Sequence, residues 1–175
     1  MGSSTVRRTP ASSDTPGDAP GLHLPVLLWR RLMLALRAKG GGVRESGAFL
    51  LGQRVGALTR VRSFVLYDEL DPHAFESGII RFASNGYSEL WKACRARNLR
   101  AVADVHAHPG AWVEQSDSDQ QHPMLPEPGH VALIVPNFAR HAWWTLEGVG
   151  VHEYTGRGSW RTHTRASGRA KLRLF

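Results

Sequence analysis

The run Val105-His106-Ala107-His108-Pro109-Gly110-Ala111-Trp112-Val113-Glu114-Gln115-Ser116-Asp117-Ser118-Asp119 decides how this chain is read. Leu99 to Val105 is a mostly apolar stretch that reads as a strand running directly into His106. Alternate side chains of an extended strand share a face, so His106 and His108 present two imidazoles side by side. Pro109 and Gly110 end the strand and redirect the chain. Ser116 suits the N-cap of a following helix, which puts Asp119 in its first turn. A turn that folds back brings the Asp119 carboxylate towards the same point. Two His, one carboxylate and a fourth position open to water form the ligand set of catalytic rather than structural zinc.

Outward from this run the chain alternates helical and extended patterns. Val26 to Leu36 reads as a helix: Leu28, Leu32 and Ala35 or Leu36 recur at three- and four-residue spacing, and Arg30, Arg31 and Arg37 supply a polar side. Pro25 suits its start and Gly40–Gly42 stop it. Glu45 to Gly52 reads as a buried strand ending in a turn, and Arg60 to Tyr67 as its partner. Asp68 to Phe82 is an irregular excursion carrying Phe75, Ile79, Ile80 and Phe82. Asn85 to Asn98 forms a second helix with Leu90, Trp91 and Cys94. Val131–Val135 is an apolar core strand, with Trp143 to Leu146 and Val149 to Tyr154 as further strands. This order predicts one α/β (α+β) domain, a mixed sheet with helices packed on it. The expected boundaries are a flexible leader over 1–21, the domain over 22–156 and a basic tail over 157–175.

Composition narrows the function classes. A chain of 175 residues with 42% hydrophobic residues can bury a core of its own. The net charge of +7 invites a nucleic-acid reading, but its placement argues against one. Arg157, Arg161, Arg165, Arg169, Lys171 and Arg173 follow Tyr154 with no acidic residue between or after them, leaving the rest near neutrality. No apolar run suits a bilayer span and the leader has no signal-peptide core, so the cytoplasm is expected. The lone cysteine, Cys94, excludes an internal disulfide framework and a multi-cysteine zinc site, and is read as packing. The missing cysteine ligands also exclude a zinc deaminase.

A hydrolase needs a base beside the metal. Glu45, Glu69, Asp71, Glu76, Asp104 and Glu114 are the candidates. Asp104 is expected to face away from the His pair or to lie a step removed, and Glu114 to be solvated in the loop. Glu45 stands apart, because it opens an apolar strand where a carboxylate is costly without a partner or a task. His122, His130, His141, His152 and His163 match no ligand position and read as structural or exposed, with His130 best placed to back a ligand. Trp112 reads as a plug or a substrate contact; of Trp143 and Trp144, one should face the core.

A Glu before an apolar strand, then His-x-His, seven residues and Ser-x-x-Asp, resembles the signature of the JAB/MPN (JAMM) metalloproteases. The resemblance spans about Leu32 to Tyr154, and Gly129 to Ala139 is similar to the strand that follows the motif in bacterial members. It implies a curved sheet flanked by helices, one zinc per chain on His106, His108 and Asp119, Glu45 as general acid/base and Ser116 as stabiliser of the oxyanion. It also implies a peptidase or isopeptidase acting on the C-terminal tail of a ubiquitin-like protein, with conjugation enzymes as further partners. A hydrolase of another amide with the same fold, or a non-catalytic scaffold, are the alternatives. The chain departs from the family at Ala107, where Ser or Thr is usual.

Overall fold

A computed structural model describes residues 21–75, 80, 82, 84–140, 144–164, 167–168 and 171–175. The leader before Gly21, Glu76, Ile79, His141, Trp143, Arg165 and Arg169 lie outside the described residues. Strand β1 (Gly21–Leu24) leads into α1 (Val26–Gly40), followed by β2 (Gly47–Val55), β3 (Leu58–Leu66) and the short α2 (Tyr67–Leu70). Then come α3 (Ser84–Arg97), β4 (Arg100–Ala107), α4 (Asp117–Gln121), β5 (Val131–Val135), β6 (Gly150–Gly156), β7 (Ser159–Thr162) and β8 (Leu172–Leu174). The strands form one curled, mixed sheet in the order β7-β6-β5-β4-β2-β3-β1-β8, so the fold is α+β in a single domain.

Strand alternation divides the apolar residues between the two faces of this sheet. Leu50, Val105, Leu133 and Val151 pack with Trp29, Leu32, Met33 and Leu36 of α1. Phe49, Leu51 and Val65 pack with Tyr67, Leu90 and Cys94 on the side of α3. Each fully buried side chain of this size contributes about 1.5–3 kcal/mol, so α1 is fastened chiefly by its apolar stripe. Its C-terminus is closed by Gly41 in the left-handed conformation, whose N–H donates to the Arg37 carbonyl. Cys94 is buried as expected.

Several expectations change. The strand from Gly47 does not stop at Gly52 but continues to Val55. Gly52 sits at a register shift where a Cβ would lie 2.3 Å from the Arg60 carbonyl oxygen, so it is a bulge glycine and not a turn glycine. Trp144 to Leu146 is not extended, and Trp144 is exposed. The stretch expected as a basic tail supplies β7 and β8. Leu172 is buried, and β8 pairs in parallel with β1. Among the described residues, no helix is long and apolar enough to cross a membrane.

Candidate metal centre

The period-two rule places the two imidazoles. Ala103, Val105 and Ala107 of β4 point into the core against α1, so Asp104 and His106 point to the opposite face. His108 lies just past the strand, yet its N–H still donates to the Val135 carbonyl at 2.9 Å, which keeps it in register. Ala107 is fully buried among apolar side chains, away from the imidazoles. A small apolar residue there meets a packing demand and takes nothing from the site.

The three expected ligands converge. His106 Nε2 and His108 Nε2 lie 3.1 Å apart, and Asp119 brings Oδ1 to 3.5 Å from the first and Oδ2 to 3.5 Å from the second. One donor atom from each residue fits within 4.8 Å of the others. For ligand bonds of about 2.0–2.1 Å, the donors of a tetrahedral zinc stand roughly 3.3 Å apart. The observed spacings bracket that value, so the donor set fits zinc in both chemistry and size. Electrostatics favour positive charge here. Burial lowers the pKa of His106, but hydrogen bonding and charge from Asp119, with Asp104 and Glu45 behind, raise it overall. Burial would raise the Asp119 pKa, yet His106, His108 and Ser116 hold it well below the carboxylate range.

Ser116 is the N-cap of α4. Its N–H and its hydroxyl both donate to Asp119 Oδ2, at 2.8 and 2.7 Å, and its Oγ accepts from the Asp119 N–H at 3.2 Å. The hydroxyl is therefore committed to the carboxylate it orients. His108 Nδ1 is buried with no hydrogen-bond partner among the described residues. Packing orients that ring instead, since Trp112 lies against it with centroids 5.4 Å apart. Trp112 is half exposed and lines the cleft. Gly110 permits this, because a Cβ there would meet the indole.

Glu45 lies two residues before β2, half-buried, and faces the centre. No protein hydrogen bond holds its carboxylate among the described residues. Burial raises its pKa, opposed by His106 and His108 and reinforced by Asp119. Glu69 instead caps α2 through the Leu66 N–H, and Glu114 is exposed.

Of the two expectations for Asp104, facing away from the His pair or lying a step removed, the second holds: it sits on the same face as His106 and is buried. His130 Nε2–H donates to its Oδ1 at 2.7 Å and the Tyr67 hydroxyl to its Oδ2 at 3.1 Å. Burial and Asp104 together raise the Tyr67 pKa well above its ordinary value. Asp104 and Tyr67 of this buried network line the cleft.

Sequence reasoning did not find the anchors of the segment that carries Ser116 and Asp119. His152 Nε2–H donates to the Val113 carbonyl at 2.8 Å while its Nδ1 accepts from the Thr162 hydroxyl at 3.0 Å. That pairing fixes a neutral tautomer, and burial lowers the His152 pKa accordingly. Trp160 Nε1–H donates to the Gln120 carbonyl at 3.1 Å, and the Tyr87 hydroxyl to the Met124 carbonyl at 2.7 Å. Trp160 and Met124 then wall a cleft of about 150 Å³ over the three ligands and Glu45.

No protein-family model matches the chain. Its fold is similar to two solution structures. One is a protein of Desulfitobacterium hafniense, 13% identical, with a TM-score of 0.57 over 88% of this chain and 92% of that one. The other is a protein of Salinibacter ruber, 17% identical, with a TM-score of 0.53 over 81% of this chain and 88% of that one. These likenesses concern the fold.

Proposed function

We propose that this chain is a zinc-dependent peptidase of the JAB/MPN type, cleaving after the C-terminal tail of a ubiquitin-like protein. The observation that carries the reading is the convergence of His106, His108 and Asp119 beside the half-buried carboxylate of Glu45. When bound, zinc supplies a Lewis acid that acidifies water and polarises a carbonyl. His106 and His108 offer Nε2 from a rigid strand end, and Asp119 offers the oxygen that Ser116 does not hold. Glu45 accepts the proton of the attacking water and returns it to the departing nitrogen, so the C–N bond breaks with protons balanced.

The cleft supports the substrate class. Trp112, Trp160 and Met124 wall the cleft over the ligands, and a glycine-ended tail passes between them in extended form with no side chain to place. The proposal assigns the reaction to the cytoplasm, where a buried lone thiol such as Cys94 stays reduced.

The test is Glu45→Gln. The variant should retain one zinc per chain, since Glu45 is not a ligand, and lose at least about 10²-fold in rate on a ubiquitin-like fusion. Loss of zinc would make Glu45 a ligand, and an unchanged rate would remove it from the chemistry.

A further inference from the structure

Beyond Glu45 the cleft opens onto a second cavity of about 270 Å³, lined by Val43, Glu45, Phe75, Ile80, Pro109 and Phe138. The two share Glu45 and Ile80 and so form one continuous surface. The walls are apolar apart from Glu45 and Arg44. Arg44 is exposed at the rim, and its Nε–H donates to the Lys39 carbonyl.

The backbone that presents Phe138 is unusual. Asn137, Phe138 and Ala139 are consecutive non-glycine residues in the left-handed region, with φ of 54°, 53° and 60°. That conformation is disfavoured for every residue with a Cβ and persists only where surroundings enforce it. Here the Asn137 N–H donates to the Gly110 carbonyl at 2.8 Å and the Phe138 N–H to the His108 carbonyl at 2.7 Å. The strained turn thus clasps the chain just after the His pair, while Phe138 joins Pro109 in the wall beside Glu45.

We propose that this cavity is the subsite for an apolar side chain on the residue that follows the scissile bond. The inference rests on the hydrolase reading above and adds the leaving group to it. Glu45 must reach the departing nitrogen to protonate it, so the leaving residue lies at the Glu45 end of the cleft. An apolar cavity of about 150 Å³ already holds a benzene ring, so this one takes a leucine or phenylalanine side chain. A lysine side chain would meet only Glu45, whose carboxylate the reaction uses, and gains no other partner from the Phe75, Ile80 and Phe138 walls. The preferred bond is therefore a linear peptide bond followed by an apolar residue, in place of an isopeptide bond to a lysine Nε.

The experiment uses the full zinc-loaded chain and quenched peptides with Gly-Gly before the scissile bond and Gly, Ser, Lys, Leu or Phe after it. A peptide with Gly-Gly on a lysine Nε completes the set. The Leu or Phe peptide should exceed the Gly peptide by at least about tenfold in kcat/KM, and also exceed the isopeptide. Phe138→Ala should shrink the Leu-to-Gly ratio. Val43→Glu, at an exposed rim position that the fold does not need, should shrink it too and raise the relative rate on Lys. Cleavage with equal rates across the set, or fastest cleavage of the isopeptide, would overturn the subsite and leave the hydrolase reading standing. No cleavage of any peptide by chain shown to hold zinc would overturn both.

Discussion

The hydroxyl of Ser116 donates to Asp119 Oδ2 across 2.7 Å, which leaves Oδ1 turned towards His106 Nε2 at 3.5 Å. One residue thus starts the helix and aims the Asp119 carboxylate. On the zinc reading proposed above, its contribution is to the metal site as much as to the fold.

Ser116→Ala should accordingly do two things. Loss of the N-cap should lower stability by about 1 kcal/mol, read by thermal unfolding of the metal-free chain. Loss of the carboxylate's partner should weaken zinc binding by roughly 10–100-fold, read by chelator competition. A cap effect without a metal effect would show that the Ser116 hydroxyl does not orient Asp119.

Asp104 is the buried group whose loss should be felt most. Asp104→Ala leaves the His130 imidazole and the Tyr67 hydroxyl without their acceptor. Removing one partner of a buried pair costs about 3–5 kcal/mol, a large share of a typical domain's stability. Asp104→Ala combined with His130→Ala should cost less than the sum of the two single changes, and strict additivity in denaturant unfolding would deny the network.

Glu153 gives the fold an acid-sensitive clasp. Lys171 Nζ and His163 Nε2 donate to it at 2.7 and 3.0 Å, and against the upward push of burial they hold its pKa below 4.5. The unfolded state therefore takes up the proton first as pH falls. The stabilisation is fully present above about pH 4.5 and is lost as pH falls through the lower folded value. Glu153→Gln should lose about 1–3 kcal/mol near neutral pH, and the two proteins should converge in acid. A constant difference down to low pH would exclude this clasp.

The pH profile of turnover should carry the mark of Glu45. Burial raises its pKa in the metal-free site, and with zinc bound the acid limb of kcat belongs to the coupled unit of Glu45, the metal and its water. That limb should vanish in Glu45→Gln. An acid limb that survives unchanged in Glu45→Gln would remove Glu45 from the proton transfer.

What the sequence revealed and what it hid have physical causes. His106, His108, Ser116 and Asp119 were legible because strand alternation and helix capping are local rules. The same alternation places Asp104 on the face of His106, two residues away, and applying it one step further back would have found the buried network. The Lys171-Leu172-Arg173-Leu174 run also alternates, but its charges dominate the reading and obscure β8. Trp160 and His152 act through contacts with α4 and Val113 that only tertiary structure creates. The left-handed turn at Asn137–Ala139 contains no glycine and gives no local sign.

The central claim is that His106, His108 and Asp119 hold a zinc on which hydrolysis depends. Its most direct test is a titration of metal-stripped chain with zinc, following cleavage of a Gly-Gly-Leu peptide. The rate should rise from near zero in proportion to added zinc and level off at one equivalent per chain, with no rise in His106→Ala. Full activity in the stripped chain, or an unchanged titration in His106→Ala, would contradict the claim.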